Sequence, residues 1–339
     1  MKIDSSFSFG DRLDDIAAIQ AEFQARERLG FDGVVTAEIR NDPFLVVGMG
    51  AAVTQRIELR TGIAVAFARS PMTIAYTAHD LNVYSRGRFT LGLGSQIQAH
   101  ITKRFGMPWH GPAQQMAEFI RALHAIWDCW YDGKPLNFRG ACYRHTLMTP
   151  DFTPLNTQYG RPRVVMAAVG PLMINAAARE ADGILIHTFC TPKYLEEEIL
   201  PRIHATLAER GRPRESFEVS FPPFVVTGRT EAEFEAAKQR VKYRIAFYGS
   251  TPAYRPVLEC HGWQDLQPKL NQLSKNNGWD RMPDLISDEM LETFAVVGEP
   301  RQVAHQIKAR YGHLVDRLTL ESGLPEDVLS EQMRIMRGQ

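Results

Sequence analysis

The chain lacks several features that would assign it to common protein classes. It has four cysteines in 339 residues, and no two of them form a Cys-x-x-Cys pair, which argues against a zinc knuckle and a thioredoxin-type redox site. We expect reduced thiols, as in a cytoplasmic protein. No run of about 18 apolar residues occurs, so we predict no membrane span. The first residues also lack the apolar region of a signal peptide.

An excess of charge of one sign is also missing. Lys and Arg together number 39, as do Asp and Glu, whereas a nucleic-acid-binding protein normally carries a clustered basic excess. The motifs His-Glu-x-x-His and Gly-x-Ser-x-Gly are absent, so we expect neither a bound metal nor a serine nucleophile.

Apolar runs of strand length alternate with helical patterns along the whole chain. Four predicted helices begin with a cap-type residue followed by proline, at Asp42, Ser70, Gly170 and Thr191. Proline at the first helical position removes no donor that the helix needs. Eight strands alternating with eight helices predict an α/β protein with a (β/α)8 TIM barrel. A doubly wound sheet is the alternative.

The pattern also predicts where particular elements lie. We expect the first strand over residues 2–9, the third over 57–67 and the seventh over 217–227. The seventh helix is predicted from apolar residues at helical spacing: Phe234, Ala237, Val241 and Ile245.

Two stretches, about 132–162 and about 249–286, do not follow the alternation. They are rich in proline and aromatic residues, and loops of this length in a compact domain are usually functional covers or insertions. No linker separates two cores, so we predict a single domain over 1–339 whose insertions cover the carboxyl-terminal mouth of the barrel. The aromatic residues favour a bulky, apolar substrate, or alternatively attach the insertions to the barrel.

In a TIM barrel the active site lies at the carboxyl ends of the strands, which limits the candidates. Gly170-Pro171 begins a helix after the fifth strand, where free N–H groups would face an anion such as phosphate. Gly94, Ser95 and Gln96 end the fourth strand, where glycine lets the backbone approach a ligand and Ser95 adds a hydroxyl. Alternatively, these glycines only form tight turns.

Histidines are the titratable candidates. His187 ends an apolar strand, at the position where a barrel strand meets its substrate. His100 lies in the loop after the fourth strand. The alternative for His187 is a hydrogen-bonded histidine at the rim with no part in the chemistry.

Three segments resemble the bacterial-luciferase-like superfamily. Residues 68–95 carry an Arg-x-Pro helix start, a Gly-Arg-Phe turn and a glycine-rich strand end. Residues 167–187 resemble that superfamily's phosphate loop after strand five, and residues 295–312 resemble its carboxyl-terminal segment. Further segments, including 61–71, are similar to an actinobacterial branch assigned to coenzyme F420, a deazaflavin.

The resemblance implies an F420-dependent oxidoreductase that transfers a hydride between the deazaflavin and an organic substrate, and relatives are often homodimers. It also implies that the cofactor ring lies against a bulge in strand three with a non-proline cis peptide, expected at Gly62–Ile63. The cofactor-binding positions that it implies are Gly62, Ile63, Ser95, Gln96, Ala168, Val169 and Gly170. The alternatives are an FMN-dependent monooxygenase and a flavin-binding barrel without turnover.

One position departs from the superfamily pattern. Glu38 falls on the acidic position that ends strand two, and several relatives place a histidine directly after it for proton transfer. Here that position is Ile39. Glu38, His187 and His100 therefore remain as catalytic candidates, with Glu38 needing a raised pKa to act as an acid near neutral pH.

Overall fold

The computed structural model describes residues 1–6, 14–321 and 324–338. Eight parallel strands form a closed ring, in which the last strand pairs with the first. They are β1 (Lys2–Ser6), β2 (Gly33–Thr36), β3 (Glu58–Thr61), β4 (Phe89–Gly94), β5 (Arg163–Ala168), β6 (Gly183–Ile186), β7 (Glu218–Phe221) and β8 (Arg317–Glu321). The predicted TIM barrel is confirmed, because a doubly wound sheet would have two free edges. The predicted end of the first strand, at Ser8-Phe9, lies outside the described residues.

Helices alternate with the strands and bury their apolar faces against the barrel. They are α1 (Ile16–Arg28), α2 (Pro43–Val53), α3 (Pro71–Tyr84), α4 (Pro112–Asp132), α5 (Pro171–Glu180), α6 (Leu200–Glu209), α7 (Pro300–Tyr311) and α8 (Glu326–Arg337). The predicted caps at Asp42, Ser70 and Thr191 each accept a hydrogen bond from a backbone N–H of their helix. No helix in the described part of the chain combines the length and the apolar character needed to cross a bilayer.

The third strand is shorter than the sequence predicts. β3 ends at Thr61, and the two-residue strand Ala64–Val65 then continues beside β4, followed by the 3-10 turn Ala66–Ala68. The peptide bond Gly62–Ile63 between the two pieces is cis, as the resemblance led us to expect. A residue larger than glycine at position 62 would displace Val35, because a Cβ atom there would lie 2.4 Å from Cγ1 of Val35.

The predicted seventh strand, 217–227, is wrong as a single element. β7 ends at Phe221, and two prolines follow, which cannot donate to a strand ladder. The chain leaves the ring there, and Phe224–Val226 pairs in parallel with Ala295–Val297 in a separate two-stranded sheet.

Residues 222–299, which we call the helical unit, have a hydrophobic core of their own. Its helices are Glu231–Gly249, Arg255–Glu259, Leu266–Lys275 and Asp288–Phe294. The predicted seventh barrel helix belongs here, since Ala237, Val241 and Ile245 pack in this second core. The barrel helix before β8 is instead α7, whose Val303 and Ile307 pack in the main core.

The first predicted insertion, 132–162, is held to the barrel by a buried carboxylate. It forms a short hairpin, Phe138–Arg139 with Arg144–His145. Glu118 of α4 is buried and accepts hydrogen bonds from three consecutive backbone N–H groups, those of residues 141–143, at 2.7–3.0 Å. One side chain therefore fixes the turn of the hairpin.

Charged side chains fill the amino-terminal end of the barrel. Arg317 is buried and pairs with Asp4, Glu58 and Glu218, while Arg60 pairs with Glu218 and lies 3.6 Å from Asp4. Burial raises the pKa of Asp4 to about 6 despite the two arginines. Burial also opposes ionisation of Glu218, but Arg60 and Arg317 lower its pKa to about 2. This cluster lies opposite the mouth and contributes to stability.

Candidate active site

The carboxyl ends of β3, β4 and β5 meet in a floor of small and aliphatic groups. A Cβ atom on Gly94 would lie 3.0 Å from Cδ1 of Ile63 and 3.5 Å from Cβ of Ala167. Val65 is paired with Gly94 in the ladder. The structure thus brings the candidates Gly62, Ile63 and Gly94 together, next to the end of β5.

Glu38 braces the segment that contains the cis peptide. Its Oε2 atom accepts hydrogen bonds from the backbone N–H of Val65 at 2.8 Å and from Arg69 Nη1 at 2.7 Å. Its own N–H donates to the carbonyl oxygen of Ile63 at 3.0 Å. Arg69 also contacts Asp42 at 2.8 Å. Burial lowers the pKa of Arg69, but its two carboxylate partners outweigh burial and raise it overall.

These contacts give Glu38 a structural part that the sequence did not indicate. Its side chain accepts hydrogen bonds from Val65, which follows the cis peptide, and from Arg69, which lies just before the next helix. The sequence indicated Arg69 only as part of the Arg-x-Pro helix start. That motif does not predict that the Arg69 guanidinium pairs with the Glu38 carboxylate. Proton transfer by Glu38 stays a prediction, and the geometry favours a positioning role.

The segment after β4 folds back on itself. Ser95 Oγ donates to the carbonyl oxygen of Gln96 at 3.0 Å, and Gln96 Oε1 accepts from the N–H of Ile97 at 2.9 Å. Gln96 has a positive φ of 60°. Both side chains are half-buried. His100 lies on the following short helix, Gln98–Lys103, and is exposed.

The start of α5 presents uncapped N–H groups at the end of β5. Ala168 is buried, whereas Val169 and Leu172 are exposed. Gly170 has a φ of 81° and a ψ of 159°, and no side chain caps the helix. The N–H groups at the start of a helix have no partner within it, so they remain available to an anion. Pro171 takes the first position, where it removes no needed donor.

His187 follows β6 and lies between two tyrosines of the helical unit. The ring of Tyr248 meets it edge-on at 4.6 Å, and that of Tyr254 lies 4.7 Å away at 30°. The N–H of Phe189 donates to His187 Nδ1 at 3.0 Å. Burial, with a smaller effect of the Arg244 charge, lowers the pKa of His187 to about 4. The imidazole is therefore neutral near pH 7, and the structure does not bring it into contact with His100.

The low pKa of His187 makes stability dependent on pH. The ordinary value is 6.5, so between pH 6.5 and pH 4 the unfolded chain binds a proton that the folded chain excludes. Stability is therefore complete above pH 6.5 and falls as the pH is lowered, by at most about 3 kcal/mol. The groups facing the ring are Tyr248, Tyr254 and Arg244.

Urea unfolding at about pH 7 and about pH 4.5 checks this expectation. The variant His187→Gln should lose less stability between the two pH values than the wild type does. An equal loss in both proteins would contradict the assigned pKa.

Within residues 1–6, 14–321 and 324–338, no group of three or more His, Cys, Asp or Glu side chains is arranged to hold a metal ion. All four cysteines are free.

A closed parallel barrel with glycine-rich strand ends defines a protein of the TIM-barrel enzyme class. The family model described as luciferase-like monooxygenase matches residues 5–317, and the chain belongs to this family. Its members are oxidoreductases or monooxygenases that depend on F420 or on a flavin. The resemblance drawn from residues 68–95, 167–187 and 295–312 is confirmed, and the protein is an enzyme of this oxidoreductase family.

Relatives and solved structures match the chain over most of its length. An uncharacterized protein of Mycobacterium tuberculosis, Rv1360, is 51% identical over 294 residues, which cover 87% of this chain and 86% of that protein. The coenzyme F420-dependent tetrahydromethanopterin reductase of Methanopyrus kandleri has a TM-score of 0.78 at 21% identity, covering 98% of this chain and 96% of that one. The oxygenating constituent of 3,6-diketocamphane monooxygenase of Pseudomonas putida, in complex with FMN, has a TM-score of 0.66 at 17% identity, covering 98% and 97%. Both structures share the fold.

Proposed function

We propose that the protein is an F420-dependent oxidoreductase that transfers a hydride between the deazaflavin and an organic substrate. The observation that carries the proposal is the uncapped start of α5, which lies at the end of β5 beside the floor formed by Ile63, Gly94 and Ala167. A deazaflavin has an anionic tail and a flat ring. The helix start would bind the tail and the adjacent floor would contact the ring, so the cofactor needs both surfaces next to each other. The likeness to an F420-dependent reductase supports the choice of cofactor.

The residues at the mouth fit such a cofactor. A Cβ atom on Gly170 would meet nothing within 4 Å, so the start of α5 is open. The exposed N–H groups after Gly170 would hold phosphate, while Ile63 and Gly94 would support the ring. When bound, a deazaflavin supplies a carbon that gives or accepts a hydride.

The remaining candidates orient the site and limit the access of water. Glu38 and Arg69 hold the backbone segment 62–65 in place through the contacts described above. Ser95 and Gln96 shape the backbone turn after β4. We further propose that the helical unit and the first insertion cover the mouth of a single-domain barrel, which excludes water from the reacting atoms.

An FMN-dependent monooxygenase is the second candidate function. The matching family is described as luciferase-like monooxygenase, and one structure with the same fold was solved in complex with FMN. An FMN phosphate would use the same helix start. The two functions therefore differ in the ring and in its reaction with oxygen.

Titration of the purified protein with F420 and with FMN tests the proposal. We expect F420 to bind at least about tenfold more tightly than FMN, followed by oxidation of reduced F420 in the presence of an organic acceptor without oxygen uptake. Binding of FMN alone, with oxygen uptake by the reduced complex, would establish the second candidate. Binding of neither cofactor would refute both candidates, and binding of F420 without turnover over a broad acceptor panel would indicate a barrel that only binds its cofactor.

We also propose that the protein is a cytoplasmic homodimer. Size-exclusion chromatography with light scattering measures the mass of the protein in solution. One chain has a mass of 38.3 kDa, so we expect a mass twice that value. A mass equal to one chain would contradict the proposed dimer.

A further inference from the structure

His187 is the catalytic candidate whose tautomer can be assigned from a backbone hydrogen bond. We propose that its Nε2–H group binds the oxygen of an uncharged carbonyl or alcohol substrate with an apolar body, and that His187 keeps its own proton during the reaction. The redox part of this inference rests on the function proposed above. The tautomer of His187 is argued from the structure alone.

The tautomer follows from the neighbouring backbone. The N–H of Phe189 points at Nδ1 from 3.0 Å, and a backbone N–H can only donate. Nδ1 is therefore an acceptor without a proton. Since a neutral imidazole carries one N–H, that group is at Nε2.

A neutral imidazole in this tautomer is a donor and a very weak acid. Burial, with a smaller effect of the Arg244 charge, lowers the pKa of His187 and so keeps the ring neutral at ordinary pH. Nε2 already holds its proton, so it cannot serve as a base without losing the bond to Phe189. His187 is thus suited to bind a developing negative charge on oxygen, as preorganised donors do, and unsuited to general acid–base work.

The surroundings indicate the class of substrate. Tyr248 and Tyr254 present ring surfaces beside His187. Exposed apolar side chains follow three other strands at the same end of the barrel, namely Ile39 after β2, Ile97 after β4, and Val169 with Leu172 after β5. A substrate held at this end of the barrel would therefore meet apolar side chains and tyrosine rings, which favour an apolar body.

The reaction balances with water as the proton source. In carbonyl reduction the carbonyl carbon would receive a hydride with its electron pair from a reduced deazaflavin, and the carbon–oxygen π pair would move to the oxygen. Water would give that oxygen its proton and would take up the proton that the deazaflavin releases on oxidation, so that no hydroxide accumulates. His187 donates a hydrogen bond to that oxygen throughout. Alcohol oxidation is the reverse, with the proton released to water.

The first test needs no cofactor. Long-range ¹H–¹⁵N spectra of ¹⁵N-histidine-labelled protein at about pH 7 should show His187 neutral with its proton on Nε2, and His187→Gln assigns the signal. Addition of cyclohexanone or 2-decanone should move that Nε2–H signal, whereas pyruvate should not. A proton on Nδ1, or a charged ring at this pH, would overturn the inference.

The second test uses variants of the full-length protein with its cofactor. His187→Phe keeps a ring but removes the donor, and we expect kcat/KM for the ketones to fall about 100- to 1,000-fold. His187→Gln places an amide N–H near the position of Nε2 and should restore activity to within about tenfold of the wild type. His204→Gln, an exposed histidine on α6, is the matched control and should not change activity.

The pH profile separates a hydrogen-bond donor from an acid or base. If His187 only donates, wild type and His187→Gln have profiles of the same shape between about pH 5.5 and pH 8. A limb that disappears in His187→Gln would overturn the inference, as would full activity in His187→Phe. Failure of F420 to bind refutes the proposed function instead, and leaves the spectroscopic result to decide the state of His187.

Discussion

Arg317→Ala is expected to lower the free energy of unfolding by about 3–5 kcal/mol. The side chain of Arg317 is 1% exposed and forms ion pairs with Asp4, Glu58 and Glu218. Its removal leaves the buried Asp4 with Arg60, 3.6 Å away, as its one remaining close cation among the described residues. Glu218 keeps Arg60 and Arg163, and Glu58 keeps Lys2 and Arg60. The largest cost therefore falls on Asp4, because a poorly compensated buried charge is costly to fold. Whole-domain stabilities are only about 5–15 kcal/mol, so this single change removes a large share.

The matched control is Lys2→Ala, which removes a different cation from Glu58, one of the three carboxylates that Arg317 contacts. Lys2 pairs with Glu58, but its side chain is 50% exposed. An exposed pair of this kind is worth about 0–1 kcal/mol, so Lys2→Ala should barely alter the urea midpoint. Comparable losses in Lys2→Ala and Arg317→Ala would show that burial of the cluster does not determine its contribution.

Gly170→Ala is expected to weaken binding of the cofactor about 5- to 150-fold. The φ of 81° with ψ of 159° belongs to a region that only glycine occupies readily. In the free protein, the backbone at an alanine in position 170 would move to a more favourable φ and ψ. It would have to return to the glycine-like conformation for the start of α5 to bind phosphate. That return costs about 1–3 kcal/mol, which sets the range of affinity. Titration with the cofactor that binds the wild type measures it.

Gly211 provides the matched control for this change. It also has a positive φ, 62°, with open space where a Cβ would lie, but it follows α6 at the opposite end of the barrel. Gly211→Ala should cost some stability and leave the affinity within about twofold. If both variants bind the cofactor as the wild type does, the start of α5 does not hold its phosphate.

Alternation of strands and helices was predictable because local chemistry determines it. Strands buried on both faces are continuous apolar runs, and the caps at Asp42, Ser70 and Thr191 lie where the sequence placed them. The ring of eight strands then follows from the count and the length of the chain.

The seventh strand and helix show what local patterns leave open. Phe217–Thr227 is an apolar run, but Pro222 and Pro223 divide it, and this breaker signal favoured two elements over one. The spacing of Ala237, Val241 and Ile245 predicts that one face of a helix is buried. It does not predict which hydrophobic core this face packs against, and in the structure the three residues pack in the core of the helical unit.

Site residues were predictable as positions and not as contacts. Strand ends and the resemblance indicated Glu38 and His187. Their partners are distant in sequence, since Arg69 lies 31 positions after Glu38 and the tyrosines of the helical unit lie further still from His187. These contacts form only when the barrel closes and brings distant segments together. Rules based on the spacing of residues along the sequence therefore do not predict them.

The way the chain leaves and re-enters the barrel has a practical consequence. The chain leaves the barrel through Phe224–Val226 and returns through Ala295–Val297. These two strands pair in parallel, with Val225 opposite Val296. Everything between them is a contiguous module whose two junctions are already adjacent. A graft of that stretch from a relative would exchange the tyrosines above His187 in a single step, while the ring beneath keeps its register.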